Sequence, residues 1–234
     1  FINSYSQATR RVLEEIIRDA ARHQLMLSFH GAQSPRGWAR TYPHIMTFEA
    51  VRGTEHYLAI NKATGLPPSH NCILPFTRNV LGSMDYTPGA FTATHRATTL
   101  AHELATAIVF ESGWQGLCDV PEAYLNSPAR TLLTGLPAAW DETRLLAGYP
   151  GEFCCLARRR GGDWYVGGIS ATPARTVTVN LDPILKQSLE VTLYTDNETS
   201  SELVARTTVL EPGKALTMDL RANGGFAFVL RSED

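Results

Sequence analysis

Apolar residues recur at helical spacing near the start of the chain. Val12, Leu13, Ile16, Ile17, Ala20 and Ala21 form one stripe, with Arg10, Glu14, Glu15 and Arg18 largely off it, which predicts an amphipathic helix over Ser6–His23. The run "LMLSFHG" that follows is continuously apolar up to polar His30, the pattern of a parallel strand buried on both faces. "HIMTFEAV" (His44–Val51) repeats it, "SMDYTPG" (Ser83–Gly89) predicts a third such segment, and "GLCDVP" (Gly116–Pro121) a short fourth. Between and after these, "HRATTLAHELATAIVF" (His95–Phe110) predicts a second long helix with Leu100, Leu104, Ala107 and Ile108 on one side, and "PARTLLTGL" a last one. Strands separated by helices or long loops, each strand ending in His, Glu or Asp, predict a β/α barrel with its chemistry at the C-terminal strand ends. About four strand–helix units are visible, where a closed barrel of this kind has eight.

Beyond Pro150 the period becomes two. "EFCCLARRRGGDWYVGGIS" reads as two strands around a Gly161-Gly162 turn; "RTVTVNL" and "LEVTLYTD" alternate apolar and polar; "LVARTTVLEPGKALTMDL" reads as a hairpin around Pro212-Gly213, and "GFAFVLR" as a final strand. Six or seven antiparallel strands are expected. The chain thus divides into an α/β part, residues 1–148, and an antiparallel β domain, residues 149–234, with the junction near 145–152.

Composition changes this picture little. With 234 residues, 44% of them hydrophobic and 19% charged, there is ample material for a core. A net charge of −2 gives no electrostatic case for nucleic acid or an anionic membrane as partner. No apolar run is long enough to span a membrane. The basic run Arg158–Arg160, followed by two glycines, reads as a solvated hairpin turn. Cys72, Cys118, Cys154 and Cys155 show neither CxxC nor zinc spacing; Cys154 and Cys155, adjacent on a strand, should face opposite sides, so free thiols are expected.

The densest chemistry lies in "HGAQSPRGWARTYPHIMTFEAVRGTEHY". Glu49 ends a predicted strand and Glu55 follows in a short loop. Two carboxylates converging there can hold a hard cation, or one can donate a proton in glycoside cleavage; a salt bridge to Arg52 or Arg40 is the structural alternative. His30 either binds a ligand or caps a turn, and Trp38 either stacks on a sugar face or anchors packing. Asp85 and Asp119 are hydrogen-bond acceptors for a ligand, or turn residues. "HELATA" at His102 is not a zinc-protease motif, because Thr106 stands where HExxH needs its second histidine. "ESGWQG" lacks G-x-S-x-G, and no phosphate-binding Gly-rich loop follows a strand.

Together, "FHGAQSPRGWARTYPHIMTFEAVRGTEHY", "LPFTRNVLGSMDYTPGAF", "TLAHELATAIVFES" and "AAWDETRLLAGYPGEFCCLARR" resemble glycoside hydrolase family 97, calcium-dependent exo-acting α-glycosidases, collinearly from Phe1 to about Gly168. The resemblance implies the second half of a (β/α)8 TIM-type barrel followed by a small antiparallel β-sandwich domain. It also implies Ca2+ as cofactor, an oligosaccharide or α-glycoside as substrate, and a secreted or periplasmic home. Residue by residue, Glu55 resembles the general acid/base, Glu49 and Glu55 the calcium ligands, and His30 a histidine that hydrogen-bonds the sugar; Trp38 and Asp85 are the further substrate-binding candidates. The inverting branch carries glutamate directly after that histidine; here Gly31 follows His30, so the chain resembles the retaining, α-galactosidase-like branch. Its aspartate nucleophile would precede Phe1, and the fragment alone is expected to be inactive. The alternatives are an α-glucosidase of the same family, or a non-catalytic relative that binds sugar or self-associates through exposed half-barrel edges.

Overall fold

The computed structural model describes residues 4–56, 65–198 and 202–232. Helix α1 spans Gln7–Arg22, one residue inside the predicted range at each end, and Ser6 caps it by accepting the Thr9 amide at 3.2 Å. It buries Leu13, Ile17 and Ala20, while Val12 and Ile16 of the same stripe stay exposed. Ile17 packs with Ile45 and Phe48. Strand β1 (Leu27–Phe29) pairs in parallel with β2 (Ile45–Phe48), and the short helix α2 (Trp38–Thr41) lies between them in sequence.

The third predicted strand is reduced to one parallel bridge, Phe48 to Met84. Thr87 turns at φ 55 and Pro88 offers no amide, so the ladder cannot run on. The fourth, Gly116–Pro121, is no strand: Cys118 donates one bond to the Pro88 carbonyl, and then Asp119 turns the chain by accepting from Thr92 and Val120. Between these segments lie helix α3 (Pro68–Ile73), two 3₁₀ turns (Leu74–Phe76 and Arg78–Leu81) and helix α4 (Leu100–Val109). The predicted first turn of α4, 95–99, is loop, because the Thr99 side chain caps the His102 amide and Thr98 is drawn to the Glu103 carboxyl. Helices α5 (Pro121–Leu125) and α6 (Arg130–Thr134) complete this part.

Among the described residues the β unit has eight strands where six or seven are expected: β3 (Glu142–Tyr149), β4 (Phe153–Arg160), β5 (Asp163–Ser170), β6 (Arg175–Val179), β7 (Leu189–Asp196), β8 (Leu203–Leu210), β9 (Leu216–Leu220) and β10 (Gly225–Leu230). Its edge strand β3 begins ahead of the expected 148/149 junction. Six strands form one antiparallel sheet, β3-β4-β5-β10-β7-β8, and β6-β9 forms a second. The Pro212-Gly213 turn is therefore no hairpin: β8 pairs with β7 and β9 with β6, so the turn carries the chain from one sheet to the other. Val177, Val179, Met218 and Leu220 of the small sheet share a core with Val166, Val191, Leu193 and Phe228 of the large one.

Helix α4 covers the opposite face of the large sheet. Ala105 and Val109 pack with Cys154, Leu156 and Ile169, and Leu104 and Ile108 with Tyr165 and Ala227. The close approach requires Gly167, whose added Cβ would stand 3.0 Å from the Ala105 carbonyl. The sheet also caps both helix ends. Asp196 accepts from Thr99 Oγ1 at 2.8 Å and the Ala101 amide at 3.2 Å, and Arg158 donates to the carbonyls of Ile108 (2.7 Å) and Val109 (2.8 Å). An acid at the N-terminus and a guanidinium at the C-terminus both oppose the helix dipole. Arg158 is thus buried, 6% exposed, and does not belong to a solvated turn. Cys154 and Cys155 face different cores and, like Cys72 and Cys118, are free.

Candidate active site

The site forms where β1, β2 and the Met84 bridge end side by side. Glu49 donates its amide to Phe29 O (2.7 Å), and Asp85 donates its own to Phe48 O (2.9 Å), so His30, Glu49 and Asp85 emerge from adjacent strand ends. Gly31, at φ 63, turns the chain away after His30, and its amide donates to the Glu49 carboxylate.

Glu55 arrives on a loop docked by backbone contacts. Thr54, fully buried, donates both its amide (3.1 Å) and its hydroxyl (3.3 Å) to Tyr86 O, and His70 Nε2 donates to Arg52 O at 3.0 Å. Gly53 lies so close that a Cβ would stand 2.6 Å from Tyr86 O. Tyr86 is itself fixed through its hydroxyl on Asn71 Oδ1 (2.6 Å), whose amide donates to buried His102 (3.0 Å).

His30 is the hub. Its Nε2 lies 2.9 Å from Glu55 Oε1 and 3.6 Å from Glu49 Oε1, and its Nδ1 lies 3.1 Å from Asp85 Oδ2. Burial alone would lower its pKa; the Asp85 hydrogen bond and the charges of Glu49 and Glu55 outweigh burial and raise it. Both ring nitrogens face carboxylate oxygens, Nδ1 that of Asp85 and Nε2 that of Glu55. One ligand atom each from His30, Glu49 and Glu55 lie within 4.8 Å of one another. Among the described residues, no arginine or lysine nitrogen pairs with the Glu49 or Glu55 carboxylate, so the salt bridges to Arg52 or Arg40 do not form.

Trp38 does not join this cluster. It opens α2 and packs against the Ile17–Ile45–Phe48 core. Asp119 serves as a turn residue. Thr54, His70 and Arg78, whose guanidinium underlies the strand ends, escape sequence reasoning because their partners are backbone carbonyls, which leave no trace in residue type.

Carboxylates gathered at the C-terminal ends of parallel strands are where α/β enzymes carry their chemistry. Residues 1–51 match the family model described as Glycoside hydrolase 97, and residues 139–231 the one described as Glycosyl-hydrolase 97 C-terminal, oligomerisation. The chain belongs to glycoside hydrolase family 97, and corresponds to its C-terminal portion. It is 44% identical over 232 residues to a probable retaining alpha-galactosidase of Streptomyces bingchenggensis, covering 98% of this chain and 35% of that protein. It is 32% identical over 228 residues to a retaining alpha-galactosidase of Bacteroides thetaiotaomicron, covering 90% and 34%. Among solved structures, a family 97 enzyme from Pseudoalteromonas sp. strain K8 in complex with acarbose superposes with TM-score 0.84 at 31% identity, over 93% of this chain and 36% of that one. A beta-arabinopyranosidase gives TM-score 0.84 at 30% identity, over 96% and 37%. The chain spans about a third of the length of these relatives.

Proposed function

We propose that this chain supplies the second half of a (β/α)8 barrel, with the acid/base, to a calcium-dependent retaining exo-α-glycosidase acting on terminal α-galactosides. The observation that carries the reading is the convergence of Glu49 and Glu55 on His30, with Asp85 behind the ring. Two relatives named as retaining alpha-galactosidases support the chemistry, and Gly31 supports the retaining branch because the residue directly after His30 in sequence carries no carboxylate.

The donor set fits calcium. Calcium takes six to eight oxygen ligands. Glu49 and Glu55 offer carboxylates free of arginine or lysine partners among the described residues, while the His30 nitrogens suit hydrogen bonding to carboxylate or sugar better than ligation of a hard cation. A calcium ion held by Glu49 and Glu55 would supply fixed positive charge beside the reacting groups. Glu55 protonates the departing glycosidic oxygen and then, ionised, takes a proton from the incoming water. His30, held by Asp85 at Nδ1, presents Nε2 to Glu55, and that nitrogen would turn to the sugar once the Glu55 carboxyl is taken up by cation and substrate. A retaining site also needs a nucleophilic carboxylate about 5–5.5 Å from the acid/base, which this reading assigns to sequence of the full-length protein outside this portion. Self-association belongs to the same proposal; the match of residues 139–231 to a domain described by oligomerisation favours the β unit over the parallel-strand edges as its contact. A secreted or periplasmic location completes it, on the ground of an oligosaccharide substrate.

Glu55→Gln in the full-length protein tests the assignment. Loss of the acid should cut kcat/KM, which reports the leaving-group step, on α-galactosides with sugar leaving groups by roughly 10²–10⁴-fold, and cut kcat/KM on p-nitrophenyl α-galactoside less, since that phenolate needs little protonation. An equal loss on both substrates, or none, assigns the acid elsewhere.

A further inference from the structure

Arg78 has no part in the chemistry above, yet it touches the backbone of the site more than any other side chain described. It is 8% exposed and sits at the start of the 3₁₀ turn Arg78–Leu81. Nη2 donates to the carbonyls of Phe48 (2.7 Å), Ser83 (3.1 Å) and Glu49 (3.2 Å), and Nη1 to that of Gly82 (3.0 Å). The Phe48 and Glu49 carbonyls flank the Cα from which the Glu49 carboxylate projects; the Ser83 carbonyl lies just ahead of Asp85. One rigid fork therefore ties together the backbones that carry two of the carboxylates facing His30.

A ladder would ordinarily do this work. Here the third segment contributes a single bridge, Phe48 to Met84, and the neighbouring Phe48 amide reaches Ser83 O only at 3.5 Å. A run of pairings would hold register to a fraction of an ångström; here the backbone ties are few, the Asp85 amide on Phe48 O and the Met84 amide on Glu111 O, each at 2.9 Å. The guanidinium replaces the missing rungs with planar donors that cannot all be satisfied in a shifted register. Its setting is built to keep it there. Asn79 ties Gly82 O (3.3 Å) to Glu111 O (3.0 Å), and Ser83 Oγ donates to both Glu111 oxygens at 2.9 and 3.0 Å. Arg158 shows what a purely structural arginine looks like in this chain: its carbonyl acceptors end a helix and carry no site residue.

We propose that Arg78 is a positioning residue that fixes the spacing of Glu49 and Asp85 about His30, and with it the affinity of the cluster for a divalent cation. The cation arm of this inference rests on the calcium reading above. Lysine keeps the charge but offers a point donor that cannot bridge the two segments, and methionine keeps only the bulk.

The test is calorimetric titration of calcium chloride into the full-length protein as wild type, Arg78→Lys, Arg78→Met and Glu49→Gln, with circular dichroism to check folding. Outer-shell partners typically contribute about 10–100-fold in metal affinity, so Arg78→Met should bind at least about tenfold more weakly, Arg78→Lys should fall between it and wild type, and Glu49→Gln should lose binding. Folded Arg78 variants that bind within about twofold of wild type, well below that range, overturn the proposal; if Arg78→Met does not fold, Arg78→Lys decides by the same criterion. A wild type that binds no calcium overturns the cation reading instead. Arg78 is then decided by the ring N–H proton signals of His30 in ¹⁵N-histidine-labelled protein: a shift in Arg78→Lys upholds the positioning role, and unmoved signals end it.

Discussion

Glu103 and His102 are neighbours on α4, both fully buried, and burial moves their titrations in opposite directions. Burial pushes the Glu103 carboxyl from its ordinary 4.5 up to about 7, against the opposing hydrogen bond from Thr98 at 2.5 Å. It pushes His102 from 6.5 down to about 4. The signs then follow from proton counting. Between pH 4.5 and about 7 the folded chain keeps a proton on Glu103 that the unfolded chain releases, so this residue makes stability fall as pH rises, with the whole cost present above about 7. Between pH 6.5 and about 4 the unfolded chain protonates His102 and the folded one does not, so that residue makes stability fall as pH drops. Glu103→Gln removes the first slope only. Urea denaturation at a series of pH values should show the variant gaining on wild type as pH rises from 4.5 to about 7, by an amount on the order of a few kcal/mol; a constant difference across that window contradicts an ionisable, buried Glu103. The sequence announces these two residues only as "HELATA", a motif that fails for zinc. What they do instead depends on which helix face meets the sheet, and on both faces here being covered.

At the scale of elements, the readable parts are those whose fate is settled by their own pattern. Helix α1, the run "HIMTF", the alternation of β6 and β7 and the final strand β10 form where expected, whereas "LMLSF" gives only the three-residue strand Leu27–Phe29 and leaves Leu25 and Met26 exposed, not buried on both faces. The candidate site is legible to the same extent: His30, Glu49 and Asp85 follow strand ends, so adjacent strands bring them together, whereas Trp38 on a helix between strands goes to the core. Elements fail to match where a distant partner decides. The β8–β9 turn looks like a hairpin because turn residues are the same whether the next strand returns to its neighbour or crosses to another sheet. Arg158 looks like part of a solvated run because nothing local reveals that α4 ends above it. That helix gives the element-scale prediction. Asp196 is 8% exposed and satisfies the first turn of α4 from a strand 95 residues away in sequence. Asp196→Ala should strip the cap and leave buried amides unpaired, lowering stability by about 1–3 kcal/mol. A change under about 0.5 kcal/mol in chemical denaturation, the range of a surface substitution, would mean that Thr99 alone caps the helix.

For the whole molecule, α4 decides whether the site and the sheet are two bodies or one. Its side chains lie in two cores, each with residues of the large sheet, and one of those cores also holds Met84 and Tyr86, the residues on either side of Asp85. Tyr86 in turn carries the Glu55 loop on its carbonyl. Sheet, helix, Asp85 segment and acid loop are thus linked by continuous packing among the described residues. Calcium held by Glu49 and Glu55 should therefore stabilise the β unit as well, although no strand of that unit touches the cluster. Calorimetry of the full-length protein should show the transition that contains this portion moving as one on adding calcium, by about 2.7 kcal/mol at a hundred times the dissociation constant, and moving back with a chelator. The sheet can be followed separately by ¹⁹F NMR of fluorotryptophan-labelled protein, at the signal that Trp164→Phe removes, since Trp164 is buried in the sheet core. If that signal melts at a temperature indifferent to calcium while the site's transition shifts, the shared helix does not couple the two, and the β unit is an independent body resting against the site.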